Sequence, residues 1–183
     1  WDESWMEPPP EDCQEWRISC DYGTVNPASF GLWGRQGDVW YRTAEFYYDS
    51  RKTGRQQTDG EYADDLARLA GGRDIRGVVL DPSAASFREE LIRRGWTVYR
   101  AENEVLSGIR RTAELLRAGQ LVVCAPCGDA IREFGLYRWD TAATGDRVVK
   151  EHDHAMDDIR YFAVTVAGRR SEGFFAGAVE RSG

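Results

Sequence analysis

The chain has 183 residues, of which 42% are hydrophobic and 12% aromatic, and its 31 acidic and 24 basic side chains give a formal net charge of −7. This composition predicts one compact domain and excludes both a disordered chain and a membrane-spanning one, because no apolar run approaches the thickness of a bilayer. The acidic balance argues against a protein that coats duplex DNA, but it suits a site where carboxylates collect metal ions.

The first part of the chain predicts an extended arm followed by an antiparallel sheet. The chain opens on Trp1 without a signal-peptide pattern, and we expect a fragment of a longer polypeptide, with a processed N-terminus as the alternative. Residues 1–14 are acidic and contain consecutive prolines, which is typical of a linker or an extended arm. Strand-like segments follow at residues 16–21, 29–34 and 39–48. The short turn at 35–38 favours an antiparallel meander.

The rest of the chain alternates between helical and strand-like segments. Helices are predicted at residues 59–70, 84–94, 103–117, 128–137 and 153–168. Strands are predicted at residues 78–80, 97–99 and 121–124. Asp59 and Asn103 are the expected helix caps, and residues 139–150 predict a polar loop or hairpin. The pattern predicts a mixed α/β sheet with helices on both faces, in a single domain.

Two aspartates stand at the ends of strand-like segments. Asp21 ends the first strand, and Asp81 follows the apolar run of residues 78–80. Hydrolysis of a phosphodiester is helped by paired divalent ions about 4 Å apart, and hard ions such as Mg²⁺ prefer oxygen ligands. Each aspartate alone is more often a turn or capping residue, although Ser83 offers another cap beside Asp81.

The last predicted helix carries a third candidate acid. Two apolar stripes run along this helix, so we expect it to be largely buried, with Asp157 near its buried N-terminal end. A buried unpaired charge is costly, and a metal ion would offset that cost. His154 lies one turn earlier and is a candidate site residue. Asp158 falls between the stripes, and we expect it to be solvated.

The sequence leaves the roles of several neighbouring residues undecided. Asp158 is an alternative ligand because it adjoins Asp157, and Asp153 is another candidate acid at the start of the same helix. Glu45, in the third strand, is either a site acid or an exposed strand position. His152 is interpreted as a loop residue, since a helix would point it away from the other histidine.

The cysteines raise the alternative of a zinc site. Cys124 and Cys127 have a spacing found in zinc and redox motifs, but Cys13 and Cys20 do not supply a second pair of that spacing. We therefore favour buried free thiols in a reducing compartment over structural zinc.

Several motifs follow one another in a specific order. They are DYGTVNP at residues 21–27, AEFYY at 44–48, VVLDPSAASF at 78–87 and DHAMDDIRY at 153–161. Each is weak alone, but together they resemble the C-terminal nuclease domain of the large terminase subunit of tailed bacteriophages, over residues from about 15 to 168. The resemblance implies a ribonuclease H-like fold, with 1–14 as a linker or arm, 15–170 as the nuclease domain and 171–183 as a flexible tail.

The resemblance also implies a function and its participants. It implies an endonuclease that cuts double-stranded concatemeric viral DNA during packaging, with Asp21, Asp81 and Asp157 holding a pair of Mg²⁺ or Mn²⁺ ions and His154 beside them. It implies 3′-hydroxyl and 5′-phosphate products. The implied partners are an upstream ATPase domain of the same polypeptide, a portal protein and a small terminase subunit, with no membrane. The implied location is the procapsid portal in the host bacterial cytoplasm, not the mature virion. Asp158 departs from the family pattern, which usually has a small residue there.

Contacts to the DNA backbone need basic residues near the site. The candidates are Arg51, Lys52 and Arg55 after the third strand, and Arg147 and Lys150 before the last helix. Nothing in the sequence indicates base reading, so we expect little sequence preference. Two other functions remain open: another ribonuclease H-like nuclease, of the junction-resolvase or integrase type, and a non-catalytic docking module of a packaging motor.

Overall fold

The computed structural model describes residues 6–138 and 152–168, and a mixed six-stranded sheet lies at its centre. The strands are β1 (Glu15–Asp21), β2 (Ala28–Gln36), β3 (Val39–Tyr48), β4 (Ile75–Leu80), β5 (Val98–Arg100) and β6 (Leu121–Val123). Across the sheet they lie in the order β5-β4-β1-β2-β3-β6. β1, β2 and β3 form an antiparallel meander, and β4, β5 and β6 each pair in parallel with a neighbour. The predicted meander and mixed sheet are confirmed.

Helices connect the strands and cover both faces of the sheet. They are α1 (Ser50–Thr53), α2 (Asp59–Ala70), α3 (Ala85–Arg93), α4 (Val105–Arg117), α5 (Gly128–Leu136) and α6 (His154–Phe162), and a π-helical turn at Ala163–Ala167 continues α6. Among the described residues, no helix has both the length and the apolar character needed to cross a membrane.

The alternation of side chains along the strands divides the apolar core in two. Val78 and Leu80 belong to a core shared with α2 and α3, whereas Val79 belongs to a core shared with α4, α5 and α6. In the second core the ring of Trp33 stacks on Phe162, with centroids 4.1 Å apart. Helices on both faces of the sheet are thus confirmed, and α6 packs directly on the strands.

Two of the predicted helix-capping residues are wrong. Thr58, not Asp59, caps α2, because Thr58 and Glu61 form a reciprocal capping box. The start of α4 has no side-chain cap at all, so Asn103 does not cap it. Tertiary contacts hold this segment instead, since Arg160 donates to the backbone carbonyl of Asn103 at 2.9 Å.

Some predictions fall on parts of the chain that the structure does not describe. The loop or hairpin expected at 139–150, with Arg147 and Lys150, lies outside the described residues, and so does the tail expected at 171–183. Of the expected arm, residues 6–14 are described and contain no helix or strand.

Candidate active site

One cleft contains most of the residues that the sequence indicated. It encloses about 670 Å³ at the carboxyl ends of β1 and β4, beside the first turns of α1 and α6. Its acidic residues are Asp21, Asp49, Asp81, Asp153 and Asp157. Its basic residues and histidines are Arg51, Lys52, Arg132, His152 and His154. Candidate metal ligands and candidate phosphate-binding residues therefore share a single cleft.

Parallel pairing brings Asp21 and Asp81 to the same edge of the sheet. Cys20 pairs with Leu80, and the backbone N–H of Asp81 donates to the carbonyl of Cys20 at 3.3 Å. Because neighbouring strands lie about 5 Å apart, side chains that follow them in register are close neighbours. The fold therefore brings Asp21 and Asp81 together, which neither aspartate alone could indicate in the sequence.

The turn after Asp21 is tightly anchored. A Cβ atom on Gly23 would lie 2.5 Å from a backbone carbonyl oxygen three residues later, so only glycine fits there. Tyr62 Oη donates to the carbonyl of Gly23 at 3.0 Å, and the ring of Tyr22 stacks on Phe87 with centroids 4.6 Å apart. These contacts fix the end of β1 against α2 and α3, and they fix the Asp21 backbone with it.

Asp21 and His154 form a polar pair within the cleft. His154 Nδ1 lies 2.9 Å from Asp21 Oδ2. Burial, together with the charges of Asp157 and Asp81, raises the pKa of Asp21 to about 6, although His154 acts in the opposite direction. Burial alone would lower the pKa of His154, but the hydrogen bond and charge of Asp21 raise it above its usual value. Acidic neighbours contribute to both shifts, although burial is the main cause for Asp21, and a cation would neutralise this negative charge.

Asp157 enters the cleft from the first turn of α6. Its N–H donates to the carbonyl of Asp153 at 2.7 Å, and its carboxylate accepts from Arg160 Nη2 at 2.9 Å. Arg160 is itself buried, and most other residues of α6 are buried too. The expectation that Asp157 lies at the buried N-terminal end of this helix is confirmed.

Asp158 is fully buried, so the prediction that it is solvated is wrong. It accepts hydrogen bonds from the hydroxyls of Ser19 and Ser29 and from Arg42 Nη1, the last at 2.7 Å. Arg42 is fully buried on β3 and supplies the compensating charge. The pattern of apolar stripes on α6 cannot indicate a buried arginine on another element. Asp158 ties α6 to the sheet and does not line the cleft.

The two remaining candidate acids have different positions. Glu45 is neither an exposed strand residue nor part of the cleft lining, because its carboxylate accepts from the backbone N–H of Asp129 at 2.6 Å and caps α5. Asp153 is buried, immediately precedes α6 and lines the cleft. His152 also lines the cleft, with a left-handed backbone φ of 54° that no sequence pattern indicated.

The basic side chains of the cleft were predicted only in part. Those that line it are Arg51, Lys52 and Arg132. Arg132 was not predicted, since one arginine on an amphipathic helix ordinarily indicates a solvated face. Its guanidinium lies 5.4 Å from the ring centroid of Tyr47 and pairs with Asp129 at 2.9 Å. Arg55 was predicted here but pairs with Glu61 and is not among the lining residues.

The chemistry of the cleft fits a hard divalent cation. Its carboxylates supply oxygen ligands, and several negative charges at low exposure are costly without a cation. Within residues 6–138 and 152–168, no three His, Cys, Asp or Glu side chains stand close enough to hold a metal ion as they are. Asp81 accepts from the N–H and hydroxyl of Ser83, and Asp157 accepts from Arg160. A cation would therefore compete with these donors for the carboxylates.

The cysteines are separate from the cleft. Cys20, Cys124 and Cys127 are buried free thiols. Burial raises the pKa of both Cys124 and Cys127 to about 12, and Cys127 Sγ donates to the carbonyl of Arg42 at 3.2 Å. Zinc sites need three or more protein ligands, and among the described residues no third His, Cys, Asp or Glu completes a group with Cys124 and Cys127, which supports the buried-thiol interpretation over structural zinc.

Solved structures similar to this chain come from bacteriophages. The large terminase of a thermophilic bacteriophage, in complex with ADP, aligns with a TM-score of 0.88 and 40% identity over 91% of this chain and 43% of that chain. The P22 large terminase nuclease domain aligns with a TM-score of 0.71 and 19% identity over 88% of each chain. The large terminase nuclease of the thermophilic phage G20c, with bound magnesium, aligns with a TM-score of 0.63 and 17% identity over 87% of this chain and 85% of that chain. No protein-family model and no curated protein sequence matches.

These similarities identify the fold. The mixed sheet with helices on both faces is the ribonuclease H-like fold of terminase nuclease domains, as the resemblance implied. The chain covers most of the P22 and G20c nuclease domains but only 43% of the ADP-bound large terminase. It therefore matches one domain of a larger relative.

Proposed function

We propose that this chain, which matches the nuclease domain of large terminases, is a divalent-metal-dependent endonuclease that acts on double-stranded DNA. The observation that carries the proposal is the single cleft in which Asp21, Asp81 and Asp157 lie together with basic side chains. The G20c nuclease has been solved with bound magnesium and with bound cobalt, which supports the use of a divalent cation by this chain.

Asp21, Asp81 and Asp157 would hold Mg²⁺ or Mn²⁺, and we retain a pair of ions as part of the proposal. When bound, such ions lower the pKa of water and neutralise charge on a phosphate. The chain's own residues keep the carboxylates in place, because His154 contacts Asp21 and Arg160 contacts Asp157. Such pre-positioning limits the freedom that the side chains lose on binding.

The basic side chains of the cleft would bind the phosphate backbone. Arg51 and Lys52 lie on α1 and Arg132 on α5, so the positive charge comes from two separate elements. Phosphate contacts fix the position of a duplex without reading its bases, which agrees with a nuclease of little sequence preference. Arg147 and Lys150 stay in the proposal on sequence grounds alone.

We also propose that the chain is the nuclease part of a packaging motor. The large terminase that is 40% identical to this chain has been solved with ADP and with ATP-gamma-S, so nucleotide binding would belong to another domain of the same polypeptide. A portal protein and a small terminase subunit are the proposed partners, at the procapsid portal in the host cytoplasm. Residues 15–170 are the proposed nuclease domain, between a linker at 1–14 and a tail at 171–183.

Plasmid nicking by the purified chain tests the proposed function. Supercoiled plasmid is incubated with EDTA-treated protein, with and without Mn²⁺, and the loss of the supercoiled form is followed over time. We expect cleavage only with Mn²⁺. Asp21→Asn and Asp81→Asn should each lower the nicking rate by at least about 100-fold, because a neutral amide is a poor ligand for a hard cation. Even mutation of residues that only contact the metal ligands lowers metal affinity or activity by about 10–100-fold.

Asp64→Asn is the matched control for these variants. It makes the same chemical change on α2, where the side chain is 56% exposed and pairs with Arg94 outside the cleft. Its nicking rate should equal that of the wild type. Nicking by Asp21→Asn at the wild-type rate would contradict the proposal. A wild-type chain that neither binds Mn²⁺ nor cuts DNA would favour a docking module, and a preference for branched DNA would favour a junction resolvase.

A further inference from the structure

The first turn of α6 is capped by a side chain from another helix. The first N–H groups of a helix have no partner within it and need acceptors from elsewhere. Asp153 stands at the N-cap position but makes no side-chain capping bond to α6. The N–H of Ala155 instead donates to Glu133 Oε2 at 2.7 Å, and Glu133 belongs to α5.

Glu133 is itself held rigidly. It is fully buried, its Oε1 accepts from Tyr47 Oη at 2.6 Å, and the Arg132 guanidinium lies 3.8 Å away. Hydrogen bonds to an ionised carboxylate are strong, and a negative charge at a helix N-terminus also favours the helix dipole. Glu133 does not line the cleft, so its hydrogen bond to the first turn of α6 is its route to the residues of the site.

The backbone that Glu133 holds carries two residues of the candidate site. His154 immediately precedes Ala155, and its Nδ1 lies 2.9 Å from Asp21 Oδ2. Asp157 follows two residues later in the same turn and lines the cleft. A displacement of this turn would move both side chains relative to Asp21, and shifts of about 1 Å at a reacting site can cost about 100-fold in rate.

We propose that Glu133 is a positioning residue, which caps α6 from α5 and thereby sets the placement of His154 and Asp157 relative to Asp21. The proposal rests on the metal-dependent nuclease function proposed above. It assigns a role to a residue that belongs to neither the acids of the cleft nor its basic side chains.

Mn²⁺ binding and plasmid nicking by Glu133 variants test this role. Titration calorimetry on the EDTA-treated chain gives the Mn²⁺ dissociation constant, and nicking at saturating Mn²⁺ gives kcat and KM for DNA. Glu133→Ala should weaken Mn²⁺ binding and lower kcat, each by about 10-fold or more, with KM changed by less than about twofold. Glu133→Gln keeps an oxygen acceptor for the Ala155 N–H, so it should recover both values to within about threefold of the wild type.

Glu89→Gln is the matched control, because Glu89 is exposed on α3 and lies outside the cleft. Wild-type values of the Mn²⁺ dissociation constant and kcat in Glu133→Ala would overturn the positioning role, as would equal damage in Glu133→Gln. If Glu133 only stabilised the fold, Glu133→Ala would contain fewer folded molecules, and the number of Mn²⁺ ions bound per chain would fall while the dissociation constant stayed at the wild-type value. That result would also overturn the positioning role. A wild-type chain that binds Mn²⁺ without nicking would overturn the nuclease function, while the dissociation constants would still decide the role of Glu133.

Discussion

At the scale of single residues, metal binding and folding favour different protonation states of the Asp21 carboxyl group. Its side chain is 12% exposed and shares the cleft with Asp81 and Asp157. Burial raises its pKa from the usual 3.8 to about 6, so the ionised form that a metal ion needs is the form that folding disfavours. Without a cation, Asp21 therefore lowers the stability of the fold at neutral pH, as functional residues often do.

This conflict predicts how the contribution of Asp21 to stability depends on pH. The pKa of Asp21 is higher in the folded chain than in the unfolded chain, so protonation of Asp21 stabilises the fold. This stabilisation is complete below about pH 4 and is lost as the pH rises through about 6. His154, whose pKa is also raised, acts in the same direction. Relative to Asp21→Asn in metal-free buffer, the wild-type free energy of unfolding should fall by about 2–3 kcal/mol between about pH 4 and pH 7. Urea denaturation measures this difference, and a difference that is constant with pH would contradict the prediction.

Single residues of the site could be predicted from the sequence only where a motif contained them. The order of the motifs indicated Asp21, Asp81 and Asp157, and the structure places all three in one cleft. The turn interpretation of Asp81 also holds, since its carboxylate accepts from Ser83. Glu133 was not predictable as a cap, because its contacts with Tyr47 and Ala155 join segments that are distant in sequence.

At the scale of elements, α6 is positioned by its neighbours more than by its own sequence. Asp158 joins it to β1, β2 and β3 through Ser19, Ser29 and Arg42. Glu133 caps its first turn from α5. Such side-chain contacts place the helix that carries His154 and Asp157, so the geometry of the cleft depends on the packing of elements around it.

The buried pair of Asp158 and Arg42 predicts a large effect on stability. Asp158→Ala would leave the Arg42 guanidinium buried without its partner, and removal of one member of a buried pair costs about 3–5 kcal/mol. Urea denaturation at neutral pH measures the loss in the free energy of unfolding. Asp64→Ala removes an exposed ion pair with Arg94 and should cost less than about 1 kcal/mol. A loss in Asp158→Ala as small as that of the control would contradict the role assigned to the pair.

The types of the elements were more predictable than their ends. Alternating and helical periods indicated β1, β2, β3 and the longer helices, because those periods reflect which side faces the core. The four-residue helix α1 (Ser50–Thr53) was missed, since it is too short to show a helical period. The π-helical turn after α6 and the uncapped start of α4 were missed because tertiary contacts decide them.

At the scale of the whole molecule, the overall charge and the charge of the cleft differ. A net charge of −7 argued against a protein that coats duplex DNA, yet Arg51, Lys52 and Arg132 all line the candidate site. Composition averages over the entire surface, so it does not indicate where a local patch of positive charge lies. The pairing of β3 with β6 and of β1 with β4 was likewise not readable from periodicity, because both pairings join distant segments.

Anomalous diffraction from crystals soaked in Mn²⁺ tests the assignment of the cleft most directly, because it locates the ions without reference to activity. We expect Mn²⁺ peaks among the carboxylates of Asp21, Asp81 and Asp157, since these supply the oxygen ligands of the cleft. We expect no peak beside the buried carboxylate of Asp158, which is already paired with Arg42. A cleft without a peak at saturating Mn²⁺, or an ion held by residues elsewhere, would contradict the assignment.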